Sequence, residues 1–277
     1  EVDQIKAWGF NMIRKHIKVE PERWFTHCDR AGILVWQDMP STFKLRSDDD
    51  KAQFETELSR LVRSHWNHPS IVNWIVFNEH WGAYDVERLT HYVMALDPDR
   101  LVTGNSGIDA GRPDVDYAVG HIRDNHSYRP PHAPHPPHNR ASVNGEYGAI
   151  GYNVAGHIWD VDGPWVHYNY AGKEAATAEY LKFVNQLIDF RDHDALSGAV
   201  YTQWTDLENE MNGLLTYDRK VEKLDRAAVT AANLSLWQSA LESAPRRSSG
   251  APAPHFQFHH STKAPAQSTD GGPDVIQ

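Results

Sequence analysis

The chain has 277 residues, 40% of them hydrophobic, enough for one sizeable α/β domain. Its net charge of −10 argues against a nucleic-acid or anionic-membrane partner, and no stretch approaches the roughly 20 apolar residues of a membrane-spanning helix. A single cysteine, Cys28, excludes an intrachain disulfide and a cysteine-based zinc cage, and its amphipathic setting reads as a buried structural thiol.

In chain order, residues 1–8 read as the end of an amphipathic helix stopped by Gly9, and Asn11–His16 as a short strand. Pro21 opens a helix running to about Arg30 and ending at Gly32. Ile33–Met39 is a nearly unbroken apolar run, the pattern of a parallel strand covered on both faces. Residues 51–66 have helical spacing, Ile71–Phe77 is a second buried strand, and a helix follows near 85–96. Further strands are expected at Leu101–Gly104, Val115–His121, Ala141–Asn144 and Ser197–Gln203, with a helix from about Ala176 to Arg191. Tyr128–His138 is so rich in proline that it can only be a loop.

Alternating strands and helices imply parallel strands joined by right-handed crossovers. Seven strands, entered from a helix, fit a (β/α)8 TIM barrel that lacks its first strand, with the barrel over residues 1–242. Ser243–Gln277, rich in Pro, Ser, Ala, Gly and His, is expected to be a disordered tail. The sequence opens on Glu1 in a helical pattern, with no charged segment followed by an apolar one that would read as a signal peptide.

The run Asn67-His-Pro-Ser-Ile-Val-Asn-Trp-Ile-Val-Phe-Asn-Glu79 is the sharpest chemical feature. An apolar strand ending in Asn-Glu projects a carboxylate at the C-terminal mouth of a barrel, where barrel enzymes do their chemistry. A second acid ends a later strand in Ala141-Ser-Val-Asn-Gly-Glu146-Tyr-Gly148, where the glycines leave room for close approach of a ligand or another backbone. Each glutamate alone could be a helix cap or an exposed loop acid. Together they end strands four and seven of a complete barrel, across one mouth, as the two carboxylates of glycoside hydrolysis must.

These segments, with Trp8-Gly-Phe-Asn-Met-Ile-Arg-Lys-His16, Trp24–Asp29, Gly32–Asp38 and Tyr201–Arg219, resemble the barrel domain of glycoside hydrolase family 2, which contains β-galactosidases and β-glucuronidases. The resemblance covers roughly residues 1–225. It implies a retaining exo-β-glycosidase working by double displacement, with Glu79 as general acid/base and Glu146 as nucleophile. It further implies that Asn78 binds the sugar 2-hydroxyl, that Tyr128 donates to the nucleophile, and that His16 and Asp38 bind sugar hydroxyls. The family's last-strand tryptophan falls at Thr202 here, with Trp204 two residues on; Trp204 is either a sugar platform or a core residue.

A carbohydrate substrate, no cofactor and no metal are expected, together with N-terminal β-sandwich domains in a longer chain. Secretion or periplasmic export would suit such an enzyme. The histidines His121, His126, His132, His135 and His138 raise a metal site as a rival, but a proline-rich loop does not by itself orient imidazoles. Arg123 and Arg129 are either partners for a uronic acid carboxylate or solvated charges. The rival of another class is a non-catalytic carbohydrate-binding fragment or pseudoenzyme of the same fold.

Overall fold

A computed structural model describes residues 1–44, 47–109, 116–135 and 139–243. Almost all of the expected tail therefore lies outside the described residues, as do Val115 and His138. The elements, in order, are α1 (Val2–Ala7), β1 (Met12–Lys15), α2 (Glu22–Ala31), β2 (Leu34–Asp38), α3 (Asp48–His65), β3 (Ile71–Asn78), α4 (Val86–Leu96) and β4 (Leu101–Ser106). They continue with β5 (Ile122–His126), β6 (Ala141–Gly148), β7 (Ile150–Gly151), β8 (Tyr168–Asn169), α5 (Lys173–His193), β9 (Leu196–Thr202) and α6 (Arg226–Ser243).

Local chemistry sets several boundaries. Gly32, at φ 64°, ends α2 in the left-handed conformation that a side chain would disfavour. Ser47 and Asp50 form a reciprocal capping box at the start of α3.

All ladders between the long strands are parallel: β1-β2-β3-β4 in one sheet and β5-β6-β9 in another. Between β4 and β5, Val102 N–H donates to His121 Nδ1 at 2.9 Å and Ile108 N–H to the Asp124 carbonyl at 2.9 Å. The seven strands thus follow one another around a TIM barrel, and the ring is open between β9 and β1: among the described residues no strand pairs with the outer edge of either.

Side-chain alternation divides the packing into an inside and an outside. Trp36, Ile75, Ile122 and Val143 meet in the barrel interior. Val35, Trp74 and Val76, their neighbours along the same strands, pack with Phe25, Phe54, Leu58 and Leu89 of the helices, and Phe77, at the strand's end, departs from the alternation to stack on Phe54. A second outer cluster joins Trp8, Tyr147, Tyr180, Phe183, Leu187, Tyr201 and Val229.

Two sequence expectations need correction. The fifth strand is Ile122–His126, not Val115–His121; residues 116–119 have no regular structure. Its sequence, Ile-Arg-Asp-Asn-His, carries no apolar run because, after Ile122 in the barrel interior, its inward Asp124 and His126 pair with other polar groups. The sixth strand continues to Gly148, so Glu146 projects from the strand itself. Helix α6, which the periodicity did not suggest, is almost without amphipathic pattern.

Candidate active site

β3 ends in a tight turn that builds one wall of the site. Glu79 and His80 both have positive φ, 46° and 61°, and Trp81 N–H closes the turn onto the Asn78 carbonyl at 2.8 Å. Left-handed backbone at two side-chain-bearing residues costs about 1 kcal/mol or more each and persists only where neighbours hold it. Two such contacts come from β4: Glu79 N–H donates to the Ser106 carbonyl at 2.8 Å and His80 N–H to Asn105 Oδ1 at 2.9 Å. The turn sends Asn78, Glu79 and Trp81 into one cavity of about 510 Å³, while His80 meets the Tyr117 hydroxyl at 3.0 Å outside it.

Glu146 enters the same cavity from β6. Carboxylate oxygens of Glu79 and Glu146, together with a ring nitrogen of His126, lie within 4.8 Å of one another. Arg14 Nη1 donates to Glu146 Oε1 at 3.0 Å, and the Tyr128 hydroxyl donates to Oε2. Burial alone would raise the Glu146 pKa, but the facing charges of His126 and Arg14 and the Tyr128 hydrogen bond hold it below the usual carboxylate range. Burial and the Glu146 charge push the Tyr128 phenol far up, so it remains a donor.

Arg14 ties the site together. Its guanidinium grips Asp38 bidentately at 3.1 and 2.9 Å and donates to Asn78 Oδ1 at 2.7 Å, with its side chain 2% exposed. Burial opposes its charge, yet the Asp38 and Glu146 carboxylates raise its pKa well above normal. With Oδ1 of Asn78 engaged by Arg14, the buried Nδ2 has no partner among the described residues and remains a donor at the cavity wall.

His126 Nδ1 donates to Glu79 Oε1 at 2.7 Å. Although burial disfavours its charged form, Glu146 and the Glu79 hydrogen bond raise its pKa. Glu79, His126 and Glu146 are also the only group among the described residues spaced to hold a metal ion; here His126 donates to Glu79, and Glu146 accepts from Arg14 and Tyr128. His121 serves β4 instead, accepting from Val102 N–H, and His138 of the rival metal reading lies outside the described residues.

Of the residues marked from sequence, His16, Asn78, Glu79, Tyr128, Glu146 and Trp204 line the cavity. Asp38 does not; it is 1% exposed behind Arg14 and also meets His16 Nδ1 at 2.9 Å, a place suited to positioning Arg14. Trp204 lies edge-on to Trp8 at 5.4 Å and Phe10 at 6.4 Å, joining cavity lining to core packing. Arg123 turns to Asp116, while Arg129 stacks over Tyr168 and Tyr170; neither lines the cavity. Glycine at 145 and 148 admits neighbouring side chains: an added Cβ would sit 2.1 Å from Asp124 Oδ1 and 2.3 Å from the Tyr201 ring, respectively, while Gly145 also lines the cavity.

Sequence reasoning missed Arg14 and the role of His126, along with the lining residues Trp81, Trp165, His167 and Glu210. A cue existed for His126, which stands two residues before Tyr128 and so points the same way along an extended backbone.

Residues 2–228 match the family described as "Glycosyl hydrolases family 2, TIM barrel domain". The chain belongs to that family. It is 31% identical over 114 residues to a beta-galactosidase of Klebsiella pneumoniae, covering 37% of this chain and 11% of that protein. It is 36% identical over 121 residues to the beta-glucuronidase of Canis lupus familiaris, covering 39% of this chain and 19% of that one. Among solved structures, a GH2 beta-galacturonidase from Eisenbergiella tayi bound to galacturonate superposes with a TM-score of 0.66 at 19% identity, over 84% of this chain and 47% of that one. At that identity the likeness speaks to the fold. This family 2 barrel is thus matched to a minor part of much longer proteins, and no helix among its described residues is long and apolar enough to cross a membrane.

Proposed function

We propose that this chain carries the catalytic pair of a retaining exo-β-glycosidase that removes terminal β-linked sugars, galactoside- or glucuronide-like as in its named relatives. The observation that carries the reading is the approach of the Glu79 and Glu146 carboxylates to within 4.8 Å across one cavity. A short separation leaves no room for a water between the second carboxylate and the anomeric carbon, which favours double displacement.

Glu146, held ionised by Arg14, His126 and Tyr128, attacks the anomeric carbon. Glu79 protonates the departing oxygen. Esterifying Glu146 removes the negative charge that faces Glu79, which then takes a proton from the water that releases the sugar. The free Nδ2 of Asn78 donates to the sugar 2-hydroxyl, and Asp38 fixes Arg14 behind the nucleophile. N-terminal β-sandwich domains would join this barrel in a longer chain, a reading that draws on the much greater length of the relatives it matches. The second reading, sugar binding without turnover, draws on the open ring: Met12 and Ile13 of β1 and Ala199 and Val200 of β9 line the cavity at the unpaired edges.

The test is a panel of aryl β-galactosides and β-glucuronides with wild type, Glu79→Ala and Glu146→Ala. Glu146→Ala should lose at least about a thousandfold in kcat. Azide should restore turnover of activated substrates to Glu79→Ala, giving a β-glycosyl azide. Undiminished turnover by Glu146→Ala would sink the nucleophile assignment, and tight sugar binding without any wild-type hydrolysis would favour the second reading.

A further inference from the structure

Beside the general-acid glutamate stands an aromatic pair that no step above uses. Trp81 projects into the cavity from the same turn as Glu79. Phe43, on the loop after β2, packs against it with ring centroids 4.3 Å apart and planes tilted by 48°. The two loops are fastened by a 2.9 Å hydrogen bond from Ser41 Oγ to the Trp81 carbonyl. On its other side, Trp81 meets the His16 ring at 5.8 Å.

Phe43 is 76% exposed, the largest exposure among the large hydrophobic side chains of the described residues. Leaving a phenyl ring in water beside a cavity forgoes the gain of burying its apolar face. A flat ligand laid on both rings would recover much of it.

From these positions we infer that Trp81 and Phe43 form the subsite for the leaving group, and that it takes a group with a flat apolar face. The inference rests on Glu79 being the acid. The oxygen that Glu79 protonates joins the sugar to its leaving group, so that group departs on the side of the Glu79 turn. Trp81 is two residues from the acid on that turn, whereas Tyr128, stacked on His167 with ring centroids 4.9 Å apart, donates to the nucleophile. Aromatic faces accept planar rings and the C–H faces of saturated rings by the same contact. The site therefore distinguishes leaving groups by shape, with no charged partner required.

The test compares methyl, phenyl and cyclohexyl β-thiogalactosides, and the corresponding thioglucuronides, as competitive inhibitors of aryl β-glycoside hydrolysis by the full chain. Wild type should bind the phenyl compound roughly tenfold more tightly than the methyl one. Trp81→Ala and Phe43→Ala should each bring that ratio towards one. Phe43→Ala guards against a Trp81 replacement that disturbs the Glu79 turn, since Phe43 lies on another loop and is mostly in water. A cyclohexyl preference equal to the phenyl one points to saturated rings such as a second pyranose, and a phenyl preference alone to an aryl group; both support the subsite. Equal methyl and phenyl inhibition of wild type, or a ratio that survives both replacements, overturns it while leaving the glycosidase reading intact. Absence of hydrolysis and of inhibition by every compound would instead remove the glycosidase reading, and this subsite with it.

Discussion

At residue 146 a carboxylate is almost wholly buried, a setting that by itself favours the protonated and non-nucleophilic form. Three neighbours reverse that preference: His126, Arg14 and the Tyr128 hydroxyl. The tyrosine contributes a hydrogen bond donated to the ionised form, which lowers the pKa. Tyr128→Phe removes it, so the Glu146 pKa rises and less of the enzyme is ionised at a given acidic pH. The acid limb of the kcat/KM profile for an aryl β-glycoside should therefore move to higher pH, while the plateau falls as transition-state support is lost. An acid limb that stays in place would show that the Tyr128 contact does not govern the nucleophile's ionisation. Asn78, Glu79 and Glu146 were visible in the sequence because each ends or nearly ends a recognisable strand. Arg14 was not, because nothing local says that a positive charge at 14 meets carboxylates at 38 and 146.

At the scale of elements, β5 and β6 show how polar side chains replace apolar ones inside the barrel mouth. Asp124 on β5 is fully buried, accepts from Ser106 Oγ at 2.5 Å, and accepts from Gly145 N–H at 2.6 Å. That last bond needs glycine at 145, since a Cβ would stand 2.1 Å from the Asp124 oxygen. Gly145→Ala must push β6 away from β5 or turn Asp124 off its donors. It should cost about 2–3 kcal/mol, read as a lower urea midpoint, with activity falling because Glu146 is the next residue. A variant with wild-type midpoint and turnover would refute this account of the strand pair. The same polar lining explains why the fifth strand was misplaced from sequence: the usual signal is an apolar run, and these residues find their partners on other strands.

Across the whole molecule, helix α6 joins the far end of the barrel to its beginning where β9 and β1 do not pair. Asn233 Nδ2 donates to the Trp8 carbonyl at 2.9 Å and its Oδ1 accepts from the Tyr180 hydroxyl at 2.6 Å, while Trp237 Nε1 donates to the Gly9 carbonyl at 2.8 Å. Asn233→Ala strands two buried groups and should cost about 2–3 kcal/mol. Cys28 offers the readout. It is the only thiol in the sequence, fully buried in the cluster around β1–β4, and its pKa is pushed up to about 12, chiefly by burial. It should resist thiol reagents until the chain unfolds. If the two outer clusters unfold as one unit, Asn233→Ala moves the onset of Cys28 labelling to lower urea. Labelling at an unchanged urea concentration would mean that the β1–β4 half unfolds independently of α6.

The sequence by itself determined the alternation of strands and helices, the helix stops at Gly9 and Gly32, and the family to which the barrel belongs. Those features are written in hydrophobic spacing, capping residues and short motifs, all of which act over a few residues. It left the placement of β5, the existence of α6 and the network of Arg14 and His126 to the tertiary structure. These depend on pairing between residues as distant as 14 and 146, or 8 and 233, and a pairing energy of that kind exists only once strand register has brought the partners together.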